Sequence, residues 1–238
     1  LYLFQEHELK DWLLLFDIDL TLTKSDGSGI RALERHFRSY TGHNGEIRHP
    51  RPDGRCDTWI VEQLFIMNGL VYDSTMYEDF MQGYLKELTE IYRPPTACVM
   101  QGVPELLKTL QQREDMYLGL VTGNDYRGAR IKLGAFNLYH YFPAGGFGSD
   151  SSVRADLVPL AIERANRHYA KNFTLRQSVI IGDSENDVRA ANIAGAHCIA
   201  VASGYTSREE LSAAGRCVVI DDLCNIEEII RIVENFEE

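Results

Sequence analysis

Five short, nearly continuous apolar runs punctuate the chain: Leu13-Leu14-Leu15-Phe16, Tyr117-Leu118-Gly119-Leu120-Val121, Ser178-Val179-Ile180-Ile181, Cys198-Ile199-Ala200-Val201 and Cys217-Val218-Val219-Ile220. Runs of this length bounded by polar residues read as strands, and the lack of alternation means both faces are buried. Helical patterns separate them over 103–113, 126–136, 155–168, 187–194 and 207–214, and an amphipathic one closes the chain over 226–236. Strands alternating with helices predict an α/β fold with a doubly wound, Rossmann-like parallel sheet.

Residues 28–95 break that rhythm. Helical patterns over 30–40, 58–67 and 74–92 follow one another with no convincing strand between them. A polar stretch with Gly and Pro, 41–57, separates the first two, and Pro94-Pro95 stops the third. The expected organisation is a core domain built from 1–27 and 96–238, interrupted by an all-helical cap over 28–95.

The first run ends on Asp17-Ile18-Asp19-Leu20-Thr21. Burying one carboxylate at a strand end is costly, and two close together repel. A divalent cation acting on a phosphate substrate offsets such charge, and open α/β sheets bind ligands at the carboxyl ends of their strands. Solvated or loop-capping acids are the plainer alternative. Val121-Thr122-Gly123-Asn124-Asp125 leaves another strand and enters a helix, as an anion cradle does; a plain turn with Asn124 or Asp125 as N-cap fits equally. Gly182-Asp183 with Asp187 four residues on suits a hard cation with oxygen ligands, Mg²⁺ in the cytosol. The alternative gives Asp187 a helix-start role. Arg154, just before a helix, could clamp a phosphate or be solvated.

Composition sets outer limits. The chain has 238 residues, of which 45% are hydrophobic and 25% charged, as expected of an ordinary globular protein. A net charge of -11 argues against nucleic acid or anionic membranes as partners. No apolar stretch is long enough to span a bilayer, and no basic-then-apolar start suggests a signal peptide. The five cysteines, Cys56, Cys98, Cys198, Cys217 and Cys224, form no C-x-x-C pair. That disfavours a zinc site or disulfide framework and suits a cytoplasmic chain. Cys98, Cys198 and Cys217, among apolar neighbours, are expected in the core.

Taken together, these motifs resemble the haloacid dehalogenase superfamily, in its phosphatase branch with a C1 cap, phosphoglycolate phosphatase-like. Asp17-x-Asp19-x-Thr21 is similar to the family's first motif, Thr122 to its second and Asp183-x-x-x-Asp187 to its fourth. The third is usually a lysine. None stands at the expected place: Lys132 follows Thr122 too soon and Lys171 lies beyond the relevant helix, so Arg154 takes the role. Leu20 stands where many members have Gly. The resemblance implies that Asp17 attacks phosphorus to form an aspartyl-phosphate, while Asp19 protonates the leaving oxygen and then activates water. It implies Mg²⁺ held by Asp17, the Asp19 backbone, Asp183 and, nearby or through water, Asp187. Thr122 is assigned with Asp17, Asp19 and Arg154 to catalysis, and Thr21, Gly123, Asn124 and Arg55 to substrate binding. Arg55 lies in a charged turn of the cap, where a solvated side chain is an equal alternative; for Asp57 an N-cap role is expected. His43 and His49 are expected on the surface.

The implied activity is Mg²⁺-dependent hydrolysis of a small soluble phosphomonoester, such as phosphoglycolate or a sugar phosphate. A phosphomutase using the same intermediate and a non-catalytic phosphate-binding protein are the alternatives. Dehalogenation needs neither Asp19 nor a metal, and no G-x-G-x-x-G follows the first run to mark a dinucleotide site. Oligomeric state is not legible.

Overall fold

The structure is a computed structural model and describes residues 10–45 and 53–237. The strands are β1 (Trp12–Phe16), β2 (Thr23–Ser25), β3 (Ala97–Val99), β4 (Met116–Thr122), β5 (Gly145–Phe147), β6 (Ser178–Gly182), β7 (His197–Val201) and β8 (Val218–Ile220). Six of them form one parallel sheet in the order β5-β4-β1-β6-β7-β8. The helices are α1 (Ser28–Thr41), α2 (Asp57–Met67), α3 (Tyr77–Ile91), α4 (Val103–Gln111), α5 (Tyr126–Gly134), α6 (Arg154–Tyr169), α7 (Glu185–Ala194), α8 (Arg208–Ala214) and α9 (Ile226–Glu234).

The continuous apolar character of β1 has a direct cause. Trp12, Leu14 and Phe16 face a core layer shared with α4, α5 and α9. Leu13 and Leu15 point the other way, into a layer shared with α6, α7 and α8. Both faces are covered, so no position along the strand tolerates a polar side chain. The chain places β4 and β5 on one side of β1 and then β6, β7 and β8 on the other. The winding therefore reverses at β1, and the crevice beyond the ends of β1, β4 and β6 is a topological switch point.

Helices α1, α2 and α3 lie in the chain between β2 and β3 and bury an apolar cluster of their own, which includes Phe37, Phe65 and Phe80. Edge-to-face packing of Phe37 on Phe65, at 5.2 Å, is part of it. Strands β2 and β3 pair antiparallel as a separate ribbon, with Thr23 opposite Val99. Neither is visible as a strand in the sequence, because each is three residues long with only one buried side chain. The same holds for β5, whose Gly-Gly-Phe sequence carries no strand signal. Its glycine is set by packing: a Cβ on Gly146 would lie 2.2 Å from the Leu157 carbonyl oxygen of α6.

One expected core position is corrected. Cys98 is exposed, because it is the outward-facing residue of the narrow β2–β3 ribbon, whereas Cys198 is buried in the main sheet and Cys217 is half-buried. All five thiols are free. Among the described residues no helix is long and apolar enough to cross a membrane.

Leu20 adopts φ 62°, in the left-handed region. Its N–H bonds the Thr23 carbonyl at 2.7 Å, and its own carbonyl accepts from Ser203 Oγ at 2.7 Å. A left-handed L-residue costs roughly 1–2 kcal/mol and glycine's extra chain entropy about 0.5–1 kcal/mol. Leu20→Gly is therefore expected to raise stability slightly, by about 0.5 kcal/mol. A urea unfolding curve measures it, and a loss beyond about 1 kcal/mol would mean that Leu20 packing outweighs the backbone strain.

Candidate active site

Asp17 is the first residue past β1, and its N–H bonds the Ile181 carbonyl of β6 at 2.9 Å. That bond fixes the carboxylate at the switch point, where it is almost fully buried. Arg154, the first residue of α6, reaches it with Nη2 at 2.9 Å. The same guanidinium binds Asp187 and the Val121 carbonyl, and its Nη1 donates to the Gly54 carbonyl at 3.0 Å. Arg154 Nε is buried with no hydrogen-bond partner among the described residues.

Asp187 is doubly employed. It is the third residue of α7 and closes a capping box with Ser184, whose N–H and hydroxyl donate to Oδ2 at 3.1 and 2.6 Å. The helix-start role and the ion pair with Arg154 thus coexist on two oxygens of one carboxylate. Asp183, at the end of β6, accepts a 3.4 Å bond from the Thr21 hydroxyl. Asp17, Asp183 and Asp187 each bring one oxygen within 4.8 Å of the others.

Asp19 has different surroundings. Its side chain is 44% exposed, and both its oxygens bind Lys132 Nζ, at 2.8 and 2.6 Å. Asn124 Nδ2 adds a bond to Oδ2 at 2.8 Å and another to Thr122 Oγ1 at 2.9 Å. Lys132 therefore belongs to the site. A lysine on the buried face of α5, beside Gly128, Ala129 and Leu133, was the available sequence signal.

The electrostatics follow from burial. Desolvation pushes the Asp17 carboxyl up to about 6, with Asp187 and Asp19 adding repulsion and Arg154 opposing it. Burial raises Asp183 well above the usual carboxylate range, and Asp187 and Asp17 raise it further. Burial alone would lower Arg154, but Asp187 and Asp17 outweigh it and hold the guanidinium charged. Lys132 likewise loses to burial and gains more from Asp19. Three buried carboxylates against one guanidinium leave an unbalanced negative site, and hard oxygen donors in that number fit a small divalent cation.

The segment 53–58 lies directly on the core loops. Asp57 N–H bonds the Gly123 carbonyl at 2.7 Å, Thr58 Oγ1 the Gly148 carbonyl at 2.9 Å, and Asn186 Nδ2 the Asp53 carbonyl at 2.8 Å. A Cβ on Gly123 would lie 2.0 Å from the Arg55 carbonyl oxygen, so this approach requires glycine. The expected N-cap role of Asp57 is corrected: Cys56 is the N-cap of α2, and Asp57 Oδ2 instead accepts the Asp125 N–H at 2.7 Å. The carboxylate serves the neighbouring helix because the two loops abut, which no local pattern reveals. Burial raises it to about 6, against the pull of Lys132. Asp125 is the N-cap of α5, bonding Arg127 N–H at 2.8 Å.

A cavity of about 180 Å³ opens here. Asp17, Asp19, Asp183, Arg154, Gly123, Asn124 and Arg55 share its wall. Arg55 lies there with its guanidinium 4.7 Å from the centre of the Trp59 ring. Thr21, Thr122 and Asp187 stand behind the wall, bracing Asp183, Asn124 and Arg154. His43 is exposed, and His49 lies outside the described residues.

Residues 14–201 match the family described as haloacid dehalogenase-like hydrolase. The chain belongs to that family. It is 30% identical over 228 residues to phosphoglycolate phosphatase of Pseudomonas syringae pv. syringae, covering 89% of this chain and 76% of that one. It is 26% identical to the phosphoglycolate phosphatase of Aliivibrio fischeri, over 88% and 92% of the two chains. Among solved structures, CbbY from Rhodobacter sphaeroides in complex with phosphate superposes with a TM-score of 0.73 at 17% identity, over 91% and 96% of the chains. A putative beta-phosphoglucomutase from Thermotoga maritima gives 0.62 at 21%, over 93% and 99%. These structural likenesses are of fold. In this haloacid dehalogenase-type phosphatase, Arg154 pairs with Asp17 and Asp187, and Lys132 with Asp19.

Proposed function

We propose that this phosphatase hydrolyses a small soluble phosphomonoester through an aspartyl-phosphate on Asp17, with Mg²⁺ as its metal. The observation that carries the reading is the pairing on one cavity wall of a buried carboxylate held by Arg154 with a half-exposed one held by Lys132. Two acids in such different settings suit two roles. An Asp17 oxygen attacks phosphorus as the bond to the leaving oxygen breaks, and protonated Asp19 gives that oxygen its proton. Asp19 then takes a proton from water, whose oxygen attacks phosphorus and releases Asp17 with inorganic phosphate. Arg154, with its free Nε, and the Gly123–Asn124 backbone bind the phosphoryl group. Asp17 and Asp183 would hold Mg²⁺ together with the Asp19 backbone, Asp187 lying behind, and the ion would neutralise phosphoryl oxygens.

In this reading 28–95 serves as a cap over a core of 1–27 and 96–238, closing the cavity against water. Arg55 on the wall meets the leaving group. The phosphoglycolate phosphatases among the relatives support phosphoglycolate as the first compound to try, with sugar phosphates next. Five free thiols and an acidic chain support a cytoplasmic enzyme acting on a free metabolite rather than on nucleic acid or membrane.

A panel of phosphomonoesters with Mg²⁺, blanked with Asp17→Asn, tests this. Turnover is expected on a few small esters and is expected to fall at least about 100-fold in EDTA, returning with Mg²⁺. Full turnover in EDTA would overturn the metal's role. Phosphoryl transfer to an added sugar phosphate in preference to water would make the enzyme a mutase.

A further inference from the structure

We infer that Lys132 is a positioning residue for the acid–base step, fixing the Asp19 carboxylate at the edge of the cavity together with Asn124. The inference rests on the phosphatase reading above and assigns a function to a residue outside the family motifs seen in the sequence.

The geometry is specific. Lys132 comes from α5, the helix that follows the strand ending on Thr122, and its side chain is only 6% exposed. Among the described residues it has a single carboxylate partner within ion-pair distance, Asp19, and touches both oxygens. Its ammonium also lies 5.6 Å from the centre of the Tyr92 ring, and the Tyr92 hydroxyl is tied to Thr23 Oγ1 at 2.8 Å. The ammonium is thus nearly buried on the cavity wall beside Asp19. Asn124 approaches the same carboxylate from the other strand-end loop. Three bonds from two elements thus define the position of a group that proton transfer requires within hydrogen-bond reach of the leaving oxygen. A lysine buried for stability alone would be a poor choice, since a buried ion pair is often no better than an apolar pair of the same volume. Asp19, by contrast, keeps an open edge towards the cavity.

Turnover of phosphoglycolate, whose alkoxide leaves with difficulty, and of p-nitrophenyl phosphate, whose phenolate leaves readily, tests the role in the Mg²⁺-loaded enzyme. Lys132→Met is expected to lower kcat on the alkyl ester about 100-fold and on the aryl ester about 10-fold, with KM within about 3-fold. Added to Asp19→Asn, it is expected to cost less than about 2-fold more on the aryl ester, because its target is already gone. Lys132→Arg, which keeps the charge, is expected to recover the alkyl ester to within about 10-fold of the parent.

Equal losses on both esters, or losses that multiply with those of Asp19→Asn, would reduce Lys132 to a structural residue and overturn the inference. So would an unchanged kcat. Should Lys132→Met fail to fold, Lys132→Arg carries the comparison: an alkyl-to-aryl ratio equal to the parent's, with both rates lowered, overturns the role, and a lowered ratio supports it. If Asp17→Asn turned over both esters as the parent does, the aspartyl-phosphate mechanism would fall, and if the parent turned over neither, the phosphatase reading itself would fall, whatever Lys132 does.

Discussion

Asp17→Asn is expected to remove turnover by on the order of 10⁴-fold or more while making the metal-free protein more stable at pH 7.5. The two effects share one cause. The carboxylate that would attack phosphorus is buried beside Asp187 and Asp19, and its pKa lies at about 6 against an ordinary 3.8. Between those values the folded chain binds a proton that the unfolded chain has released. Stability therefore falls as pH rises from about 4 to about 6, and the loss is complete above that. A difference of about 2 pH units amounts to about 3 kcal/mol. Asn keeps a neutral oxygen for Arg154 and removes the charge, so the variant is expected to exceed the parent by about 2–3 kcal/mol at pH 7.5 and to match it near pH 4. Urea unfolding in EDTA at the two pH values measures this. A variant less stable than the parent at both would show that Asp17 is held ionised by more than Arg154. Asp57, also raised to about 6 by burial, leaves a second pH-dependent load that Asp17→Asn does not touch.

Arg154→Met acts in the opposite sense. Among the described residues the guanidinium is the cation paired with both Asp17 and Asp187, and it also ties the Gly54 carbonyl to the core. Removing one partner of a buried ion cluster costs about 3–5 kcal/mol, because the charges that remain are uncompensated. The loss is expected in full at pH 7.5 and is expected to shrink below about pH 6, where Asp17 can protonate instead. Turnover is expected to fall about 10³-fold, from losing the cation that faces developing phosphoryl charge. Arg154→Lys restores charge but not the reach to Gly54, so partial recovery of both is expected. Calorimetry across pH, together with turnover of the best ester, checks the pair of effects. Unchanged stability at pH 7.5 would remove Arg154 from the centre of the site.

Much of the site was legible because strand ends are legible. An apolar run that stops on an acid places that acid at the rim of the sheet, and Asp17 and Asp183 needed no further information. The N-cap alternative at Asp125 and the helix-start alternative at Asp187 were also readable, since capping is local and the Ser184-to-Asp187 spacing is short. Lys132 was given no site role and Asp57 was misread as an N-cap. Each has its partner on a distant segment, Asp19 and the Asp125 amide, and side-chain charge gives no direction in the sequence. Strands β2, β3 and β5 escaped for a related reason: three-residue strands owe their existence to a neighbour rather than to a pattern.

The sequence by itself determined the parallel α/β core, the helical character of 28–95 and the chemical kind of the site, because burial periodicity and acids at strand ends are properties of neighbouring residues. Only the tertiary structure decided how the charges are shared. It put Arg154 on Asp17 and Asp187, Lys132 on Asp19, and the 53–58 segment against the Gly123 and Gly148 loops. Those pairings depend on which strand ends meet at the switch point, and charge complementarity acts through space, across the 113 residues that separate Asp19 from Lys132 and the still longer stretch from Asp17 to Arg154.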